Sequence, residues 1–323
     1  MSLNYEKVGS PICEIVDDEF HKSYKKTKKV PKNQRKIVYL AEDFELSKVK
    51  NPFEKISLEP DKIFKQISDT RKERDVMYIT GRSGSGKSYY SADFIKQYIK
   101  LHPNNGVYLI SSLTEDKCLD AIKQIRRVQI NTPEFLADDF SNIADFKDRL
   151  FLFDDIDCMT NKKVLKKVYD IMDLILQTGR KYNVSMIHTS HSACDGAYTK
   201  LILNEAHSTT FFINGMSNVS MKYLCNSYLG LTMKQIDALK KLKSRWVTCF
   251  KTCPEVLLTQ KMIAFTNDFA NDDKKIDDKK DDIVLESKPK SNDKYLCKSC
   301  GASVLYRNRQ RHETTPKHIK SLN

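Results

Sequence analysis

The sequence specifies an α/β fold built on a central, mostly parallel sheet and followed by a small C-terminal metal-binding module. Three observations carry this reading. Between Asp75 and Asp268, apolar runs of strand length alternate with stretches of helix length, as a sequential parallel sheet requires. The first of these runs opens directly into the glycine-rich octet Gly81-Arg82-Ser83-Gly84-Ser85-Gly86-Lys87-Ser88. The C-terminal segment then holds two cysteines and two histidines at zinc-ligand spacing.

The elements follow in order. Residues 1–60 are polar and lysine-rich, with charge concentrated between Lys22 and Lys36, and read as a basic, partly ordered arm. Within it, Lys36-Ile37-Val38-Tyr39-Leu40 fits an added edge strand. Residues 61–266 form the main domain. Its strands are expected at Val76–Ile79, Gly106–Ser111, Leu150–Phe153, Val184–His188 and Thr209–Ile213, with helices between them. The clearest helix runs from about Asn161 to Gln177. There Val164, Leu165, Val168, Ile171, Met172 and Ile175 recur at three- and four-residue steps, and Gly179 is placed to end it. Trp246–Phe250 and Glu255–Leu258 read as a hairpin around Pro254. Residues 267–294 shift to Asp, Lys, Asn and Ser with too little apolar surface to fold, so a linker is expected there. Residues 295–323 form the last module.

Composition narrows the function classes. A chain of 323 residues with 40% hydrophobic content can bury a substantial core without staples. The net charge of +13 inclines it toward polyanionic partners. Nine cysteines, scattered without a framework outside the C-terminal segment, suit reduced thiols and no disulfides. No run of apolar residues is long enough to cross a membrane, and the N-terminus lacks the apolar core of a secretory signal. An intracellular protein is expected.

The octet has the composition of a nucleoside triphosphate cradle. Gly81, Gly84 and Gly86 allow a tight turn that aims consecutive N–H groups at the β- and γ-phosphates, and a helix N-terminus adds partial positive charge at the same place. Lys87 would reach the terminal phosphates, and the Ser88 hydroxyl would join a magnesium shell. Arg82, Ser83 and Ser85 complete the turn. Further along, the strand Leu150–Phe153 ends in Asp154-Asp155. After a good phosphate loop, the first acid is expected to hold Mg2+ and the second to polarise the attacking water.

Next come Thr178-Gly179-Arg180, then an apolar strand, then Thr189-Ser190-His191. Phosphate loop, acid-ended strand, Gly-Arg turn and Thr-Ser-His strand end, in this order, resemble the poxvirus-type genome-packaging ATPases. These occur in large DNA viruses, virophages and relatives, and belong to the FtsK–HerA superfamily of DNA-pumping motors. The resemblance spans Asp75 to Leu258. It implies a RecA-like P-loop NTPase sheet, a homo-hexameric ring, ATP and Mg2+ as cofactors, and double-stranded DNA and viral capsid proteins as partners. It further implies a location in the host-cell cytoplasm or virus factory, or in the virion. By the same resemblance Arg180 matches an arginine finger acting on the neighbouring subunit, typically worth ~10³–10⁵ in turnover. Read from the residues alone, it fits equally well a surface cation at a helix C-terminus. Ser190 falls where cellular members carry a glutamine γ-phosphate sensor, and Asp155 where many relatives carry glutamate. Both are departures from the pattern.

Cys297, Cys300, His312 and His318, spaced C-x₂-C-x₁₁-H-x₅-H, form a set that would saturate a tetrahedral Zn2+ in a structural site. Tyr295 and Leu305 would supply its small core. Arg307, Arg309 and Arg311 would meet phosphates, although docking to another protein is an equal use of such a module. The leading expectation is an ATP-driven motor packaging double-stranded DNA. The alternatives are a cellular HerA-like translocase or helicase, a small-molecule kinase, and a non-catalytic zinc-finger DNA-binding protein with a nucleotide-stabilised body.

Overall fold

Strand pairing begins at the second residue. In the computed structural model, residues 1–19, 36–69, 74–269, 294–296 and 303–305 are described. They fall into two units, Met1–Asp272 and Asp273–Asn323. In the first unit, β1 (Ser2–Asn4), β2 (Ser10–Asp17), β3 (Ile37–Ala41) and β5 (Lys62–Gln66) make an antiparallel sheet in the order β1-β3-β2-β5. Between them in the chain, β4 (Lys55–Ser57) leaves to pair at the edge of a larger sheet.

This corrects the expected basic arm over residues 1–60. Leu3, Ile12, Cys13, Val38, Leu40 and Phe64 are buried and share one core with the first helix of the main domain. The lysines that coloured the composition lie mostly in residues 20–35, outside the described residues, while the flanking segments alternate as strands do. β3 is also an inner strand rather than an edge, with β1 on one side and β2 on the other.

The main domain alternates as expected: β6 (Val76–Thr80), α1 (Lys87–Leu101), β7 (Gly106–Ser111), β8 (Ile125–Arg127), α2 (Pro133–Ala137), β9 (Arg149–Asp154), α3 (Lys162–Thr178), β10 (Ser185–Ser190), α4 (Gly196–Glu205) and β11 (Ser208–Phe211). After α5 (Asn218–Tyr223), a π turn (Leu224–Tyr228) and α6 (Met233–Lys241), the chain closes with β12 (Val247–Phe250), β13 (Val256–Thr259), β14 (Met262–Phe265) and α7 (Thr266–Phe269). The ten-stranded sheet has the order β4-β14-β13-β12-β11-β6-β10-β9-β7-β8. From β11 to β8 all neighbours are parallel, and from β11 to β4 all are antiparallel. The sheet is therefore mixed and largely parallel. The expected hairpin is present as β12 and β13 and is extended by β14 and β4.

Alternation along each strand sends one set of side chains to each face. Met77, Ile79, Leu150, Leu152 and Ile187 join Phe94 and Ile95 of α1, whereas Val76, Tyr78, Phe151, Phe153 and Met186 meet Val164, Val168, Ile171, Met172 and Ile175 of α3. Covered on both sides, these strands are apolar nearly throughout. The start of α3 is fixed by Asn161, whose side-chain oxygen accepts the N–H groups of Lys163 and Val164. Burying each large side chain of its stripe stabilises the sheet–helix layer by ~1.5–3 kcal/mol. A single charge placed there, such as Val168→Asp, would part the two. Because β6, β10 and β9 are parallel neighbours, their C-terminal ends lie along one edge, where ligands of open α/β sheets gather.

In the second unit, β15 (Lys294–Leu296) pairs antiparallel with β16 (Ser303–Leu305), with Leu296 opposite Ser303. The expected zinc ligands Cys297, Cys300, His312 and His318 lie outside the described residues.

Candidate active site

The cradle follows from where glycine is required. β6 ends at Thr80, and Gly81 N–H donates to the Ser190 carbonyl at 3.2 Å, tying the loop to the end of β10. A Cβ at Gly81 would stand 2.8 Å from Ser85 Oγ and 3.0 Å from Phe212 Cβ. Gly84 and Gly86 have φ of +73° and +111°, a region costly for any residue with a Cβ. The helix then begins at Lys87, so its first unpaired N–H groups face the loop. Arg82, Ser83 and Gly84 are exposed, Ser88 is half-buried in the first turn, and the buried Ser85 Oγ has no hydrogen-bond partner.

One strand away stand the acids. β10 lies between β6 and β9, so Thr189 is flanked by Ile79 on one side and Asp154 on the other. Asp154 is buried, and desolvation together with the neighbouring Asp155 charge raises its carboxyl to about 6. Thr189 Oγ1 donates to Asp154 Oδ1 at 2.8 Å and accepts the Asp155 N–H at 3.1 Å. Ser111, from β7, stands 3.5 Å from the other Asp154 oxygen. Asp155 turns out of the strand at φ +47°, which aims its carboxylate back toward the cradle.

There the two halves meet. Lys87 Nζ donates to the Gly81 carbonyl at 3.0 Å and lies 3.3 Å from Asp155 Oδ1. His191 bridges the pair, with Nδ1 3.1 Å from Lys87 Nζ and Nε2 3.0 Å from Asp155 Oδ2. A neutral ring protonated on Nε2 satisfies both contacts, accepting from the ammonium and donating to the carboxylate. Lys87 is only 5% exposed, so this cluster holds a buried cation against a largely buried carboxylate.

Two expected residues lie elsewhere. Ser190 points to the opposite face of β10 from Thr189. Its hydroxyl stands 2.9 Å from the Ser192 carbonyl and 3.1 Å from Asp157 Oδ2, and makes no contact with Lys87 among the hydrogen bonds of the described residues. Arg180 occupies the exposed turn Gly179–Tyr182 before β10. Because β10 and β6 are parallel, that turn is at the far end of the sheet from the cradle, ~20 Å away by strand rise. Within one chain it cannot reach the cleft. Conversely, Thr189, His191 and Asp157, which accepts the His191 N–H at 3.1 Å, were not assigned from sequence. Alternation along β10 puts Thr189 and Ser190 on opposite faces, but which of them faces Asp154 follows only from the β9–β10 register.

The donor set fits a divalent cation. A carboxylate whose ionisation is opposed by burial and by a neighbouring like charge is stabilised when a cation shares the site. Among the described residues, no cluster of three or more His, Cys, Asp or Glu forms a metal site, so protein ligands here would be few and the phosphates would complete the shell.

No family model matches the chain. It is 43% identical over 183 residues to the uncharacterized protein V3 of the Sputnik virophage, an alignment covering 56% of this chain and 73% of that protein. Among solved structures, it is similar to the DNA-packaging ATPase B204 of Sulfolobus turreted icosahedral virus at 14% identity, covering 59% of this chain and 98% of that one with a TM-score of 0.42. The genome packaging NTPase B204 of Sulfolobus turreted icosahedral virus 2 in complex with ATP-gammaS gives 14% identity, 58% and 98% coverage, and a TM-score of 0.39. The pCW3 conjugation coupling protein TcpA with ATPgS gives 13% identity, 85% and 89% coverage, and a TM-score of 0.42. Identities and scores this low leave the functional argument to the chain's own residues.

Proposed function

We propose that this chain, which belongs to the family of the Sputnik virophage protein V3, is an ATP-hydrolysing motor that drives double-stranded viral DNA into a capsid. The observation that carries the hydrolytic part is the contact of Lys87 with Asp155 and His191 beneath a glycine cradle. A triphosphate in the cradle would meet backbone N–H groups, the α1 N-terminus and the Lys87 ammonium together. As Lys87 turns to the terminal phosphate it releases Asp155, whose carboxylate then orients and deprotonates the attacking water. His191 keeps its hydrogen bond to Asp155 and holds that carboxylate in place. Thr189 spaces Asp154 from Asp155, so the two acids keep separate tasks.

Asp154 and the Ser88 hydroxyl would hold Mg2+, which supplies charge neutralisation on the phosphate oxygens when bound. Arg180, at the far end of the sheet, would act only on the site of an adjacent copy, as a finger does in a homo-hexameric ring. Support for DNA translocation comes from the order of motifs between Asp75 and Leu258 and from the net charge of +13. In the second unit, Zn2+ held by Cys297, Cys300, His312 and His318 would order a module that meets DNA or a capsid protein.

The test is ATP hydrolysis by the purified full chain with and without duplex DNA. The motor reading expects turnover stimulated by duplex. Phosphate transfer to a small acceptor, indifferent to DNA, would replace it with the kinase reading.

A further inference from the structure

In a chain of net charge +13, residues 131–148 run against the average: five acids, Glu134, Asp138, Asp139, Asp145 and Asp148, stand with Lys147 as the single base. This segment joins β8 to β9. Beside β8, the last strand of the ten-stranded sheet, its α2 and a 3₁₀ turn (Ile143–Phe146) enclose with β7 and β9 a hollow of about 410 Å3. That volume lies within the ~300–1,000 Å3 of ligand sites.

The lining is aromatic. Tyr108 stacks on Phe151 at 5.4 Å, Phe151 meets Phe146 at 5.0 Å, Phe146 meets Phe140 at 6.1 Å and Phe140 meets Phe135 at 5.5 Å, so five rings form one unbroken wall. Phe135 and Phe151 are buried, whereas Tyr108, Phe140 and Phe146 remain partly open. Such rings attract cations through their negative faces. The chain already uses two of them in this way: Lys167 Nζ lies 4.9 Å from the Phe140 centroid and 5.5 Å from that of Phe135. Lys167 lines the adjoining hollow beyond Phe140 rather than this one, and it is held there by the Leu136 carbonyl at 2.9 Å.

Where the lining reaches solvent, the carboxylates of Glu134, Asp138 and Asp145 are exposed and face one guanidinium, that of Arg149. Among the described residues none of these four makes an ion pair. A nucleic-acid backbone would meet this rim charge against like charge. A neutral apolar guest would take water from the carboxylates and give nothing back. A cation on an apolar stem satisfies both the wall and the rim. Three carboxylates against one guanidinium leave two negative charges to neutralise, more than a single small amine brings.

We infer that this hollow is a docking pocket for a basic segment of a partner protein, which lays an arginine or lysine side chain on the Phe135–Phe140–Phe146 wall while Glu134, Asp138 and Asp145 meet its charges. Arginine is preferred, because a planar guanidinium stacks on a ring and still donates to carboxylates from its edge. None of these residues belongs to the cradle or to the acids beside it, so the pocket stands apart from the nucleotide site.

The experiment is calorimetric titration of the full chain with three terminally blocked peptides, Gly-Arg-Leu-Arg-Gly, Gly-Lys-Leu-Lys-Gly and Gly-Glu-Leu-Glu-Gly, repeated on Phe140→Leu, on the double variant Glu134→Gln with Asp138→Asn, and on Arg149→Gln. For the wild type the arginine peptide should bind about threefold tighter than the lysine peptide and at least about tenfold tighter than the glutamate peptide. Phe140→Leu keeps an apolar wall without the ring face and should raise the Kd of the arginine peptide about fivefold. The double variant should raise it about tenfold and flatten its dependence on salt, whereas Arg149→Gln should lower it about threefold. Equal wild-type affinity for the arginine and glutamate peptides would overturn the pocket. So would wild-type affinity for the arginine peptide in the double variant, which changes exposed side chains alone and decides the matter even where Phe140→Leu fails to fold. Sedimentation of the double variant without peptide should match the wild type; a smaller assembly would make a second copy of this chain the occupant and overturn the partner.

Discussion

Asp155→Asn should abolish hydrolysis yet bind ATP more tightly than the wild type. In the resting site Asp155 is the counter-ion of Lys87 at 3.3 Å. With an effective dielectric of about 20, that separation corresponds to a gross attraction of ~5 kcal/mol, which a phosphate must displace before Lys87 can engage it. Asparagine removes the attraction while keeping a hydrogen-bonding amide for His191 and Lys87. It also removes a negative charge from beside the incoming γ-phosphate, so both effects favour binding. Desolvation of the unpaired Lys87 offsets part of this in the absence of nucleotide and lowers thermal stability there. The net gain in affinity should be ~1–2 kcal/mol, or roughly five- to thirtyfold in Kd. Loss of the base should cost ~10²–10⁴ in single-turnover hydrolysis. Calorimetric titration with ATP and a single-turnover assay read the two effects separately. Wild-type turnover in this variant would refute the role of Asp155. Weaker ATP binding would refute the idea that the ion pair competes with phosphate.

Further outcomes follow from the same geometry. Lys87→Ala should lose hydrolysis and most ATP affinity, because the cradle then holds no buried cation; near-normal turnover would show that the chemistry occurs elsewhere. Asp154 titrates at about 6 in the folded chain against an ordinary 3.8. The folded state therefore keeps this proton where the unfolded chain releases it, and the resulting stability, full below pH 3.8, is lost as pH rises through 6. Asp154→Asn should accordingly gain on the wild type, in metal-free denaturant melts, by up to ~3 kcal/mol between pH 4 and pH 7; a difference independent of pH would contradict this. Rings mixed from Arg180→Ala and Asp155→Asn subunits should recover part of the ATPase that each lacks alone, since some interfaces then pair an intact finger with an intact base. No recovery would assign Arg180 to the surface. A zinc chelator should change the circular dichroism of the C-terminal unit while ATP turnover persists, and an unchanged spectrum would rule out the metal.

Much of the main domain is legible because parallel strands buried on both faces announce themselves. Val76–Thr80, Gly106–Ser111 and Arg149–Asp154 stand within one residue of their expected bounds, and α3 is shifted by one. Of the N-terminal sheet only the strand at Ile37–Ala41 was legible, for a compositional reason. Its strands flank a lysine-dense stretch, and Ser10–Asp17, with Pro11, Glu14 and Asp17, lacks the apolar density of a central strand although Ile12 and Cys13 are buried. β14 and β4 escaped notice because each is short and gains its partner only by antiparallel addition at an edge, which no local pattern encodes.

At the candidate site, one feature of the geometry escapes residue type and spacing. Residue type and spacing suffice for the cradle, because Gly84 and Gly86 must adopt backbone angles that other residues avoid. They suffice also for an acid pair at a strand end. They do not give the phase with which a strand leaves the sheet. In Thr189-Ser190-His191 all three residues are polar, and a one-residue change of phase exchanges which of them faces Asp154. Pairing of Thr189 with Asp154 in the β9–β10 register fixes that phase, sending Ser190 to Asp157 and letting His191, beyond the last paired residue, turn back to Lys87. It is thus His191, not the Ser190 hydroxyl, that contacts Lys87 and Asp155. A histidine that contacts both Lys87 and Asp155 has the geometry to couple them. His191→Ala should for that reason slow hydrolysis with little change in ATP affinity, whereas Ser190→Ala should leave both near wild type, and the reverse ranking in a paired kinetic and binding assay would restore Ser190 to the role.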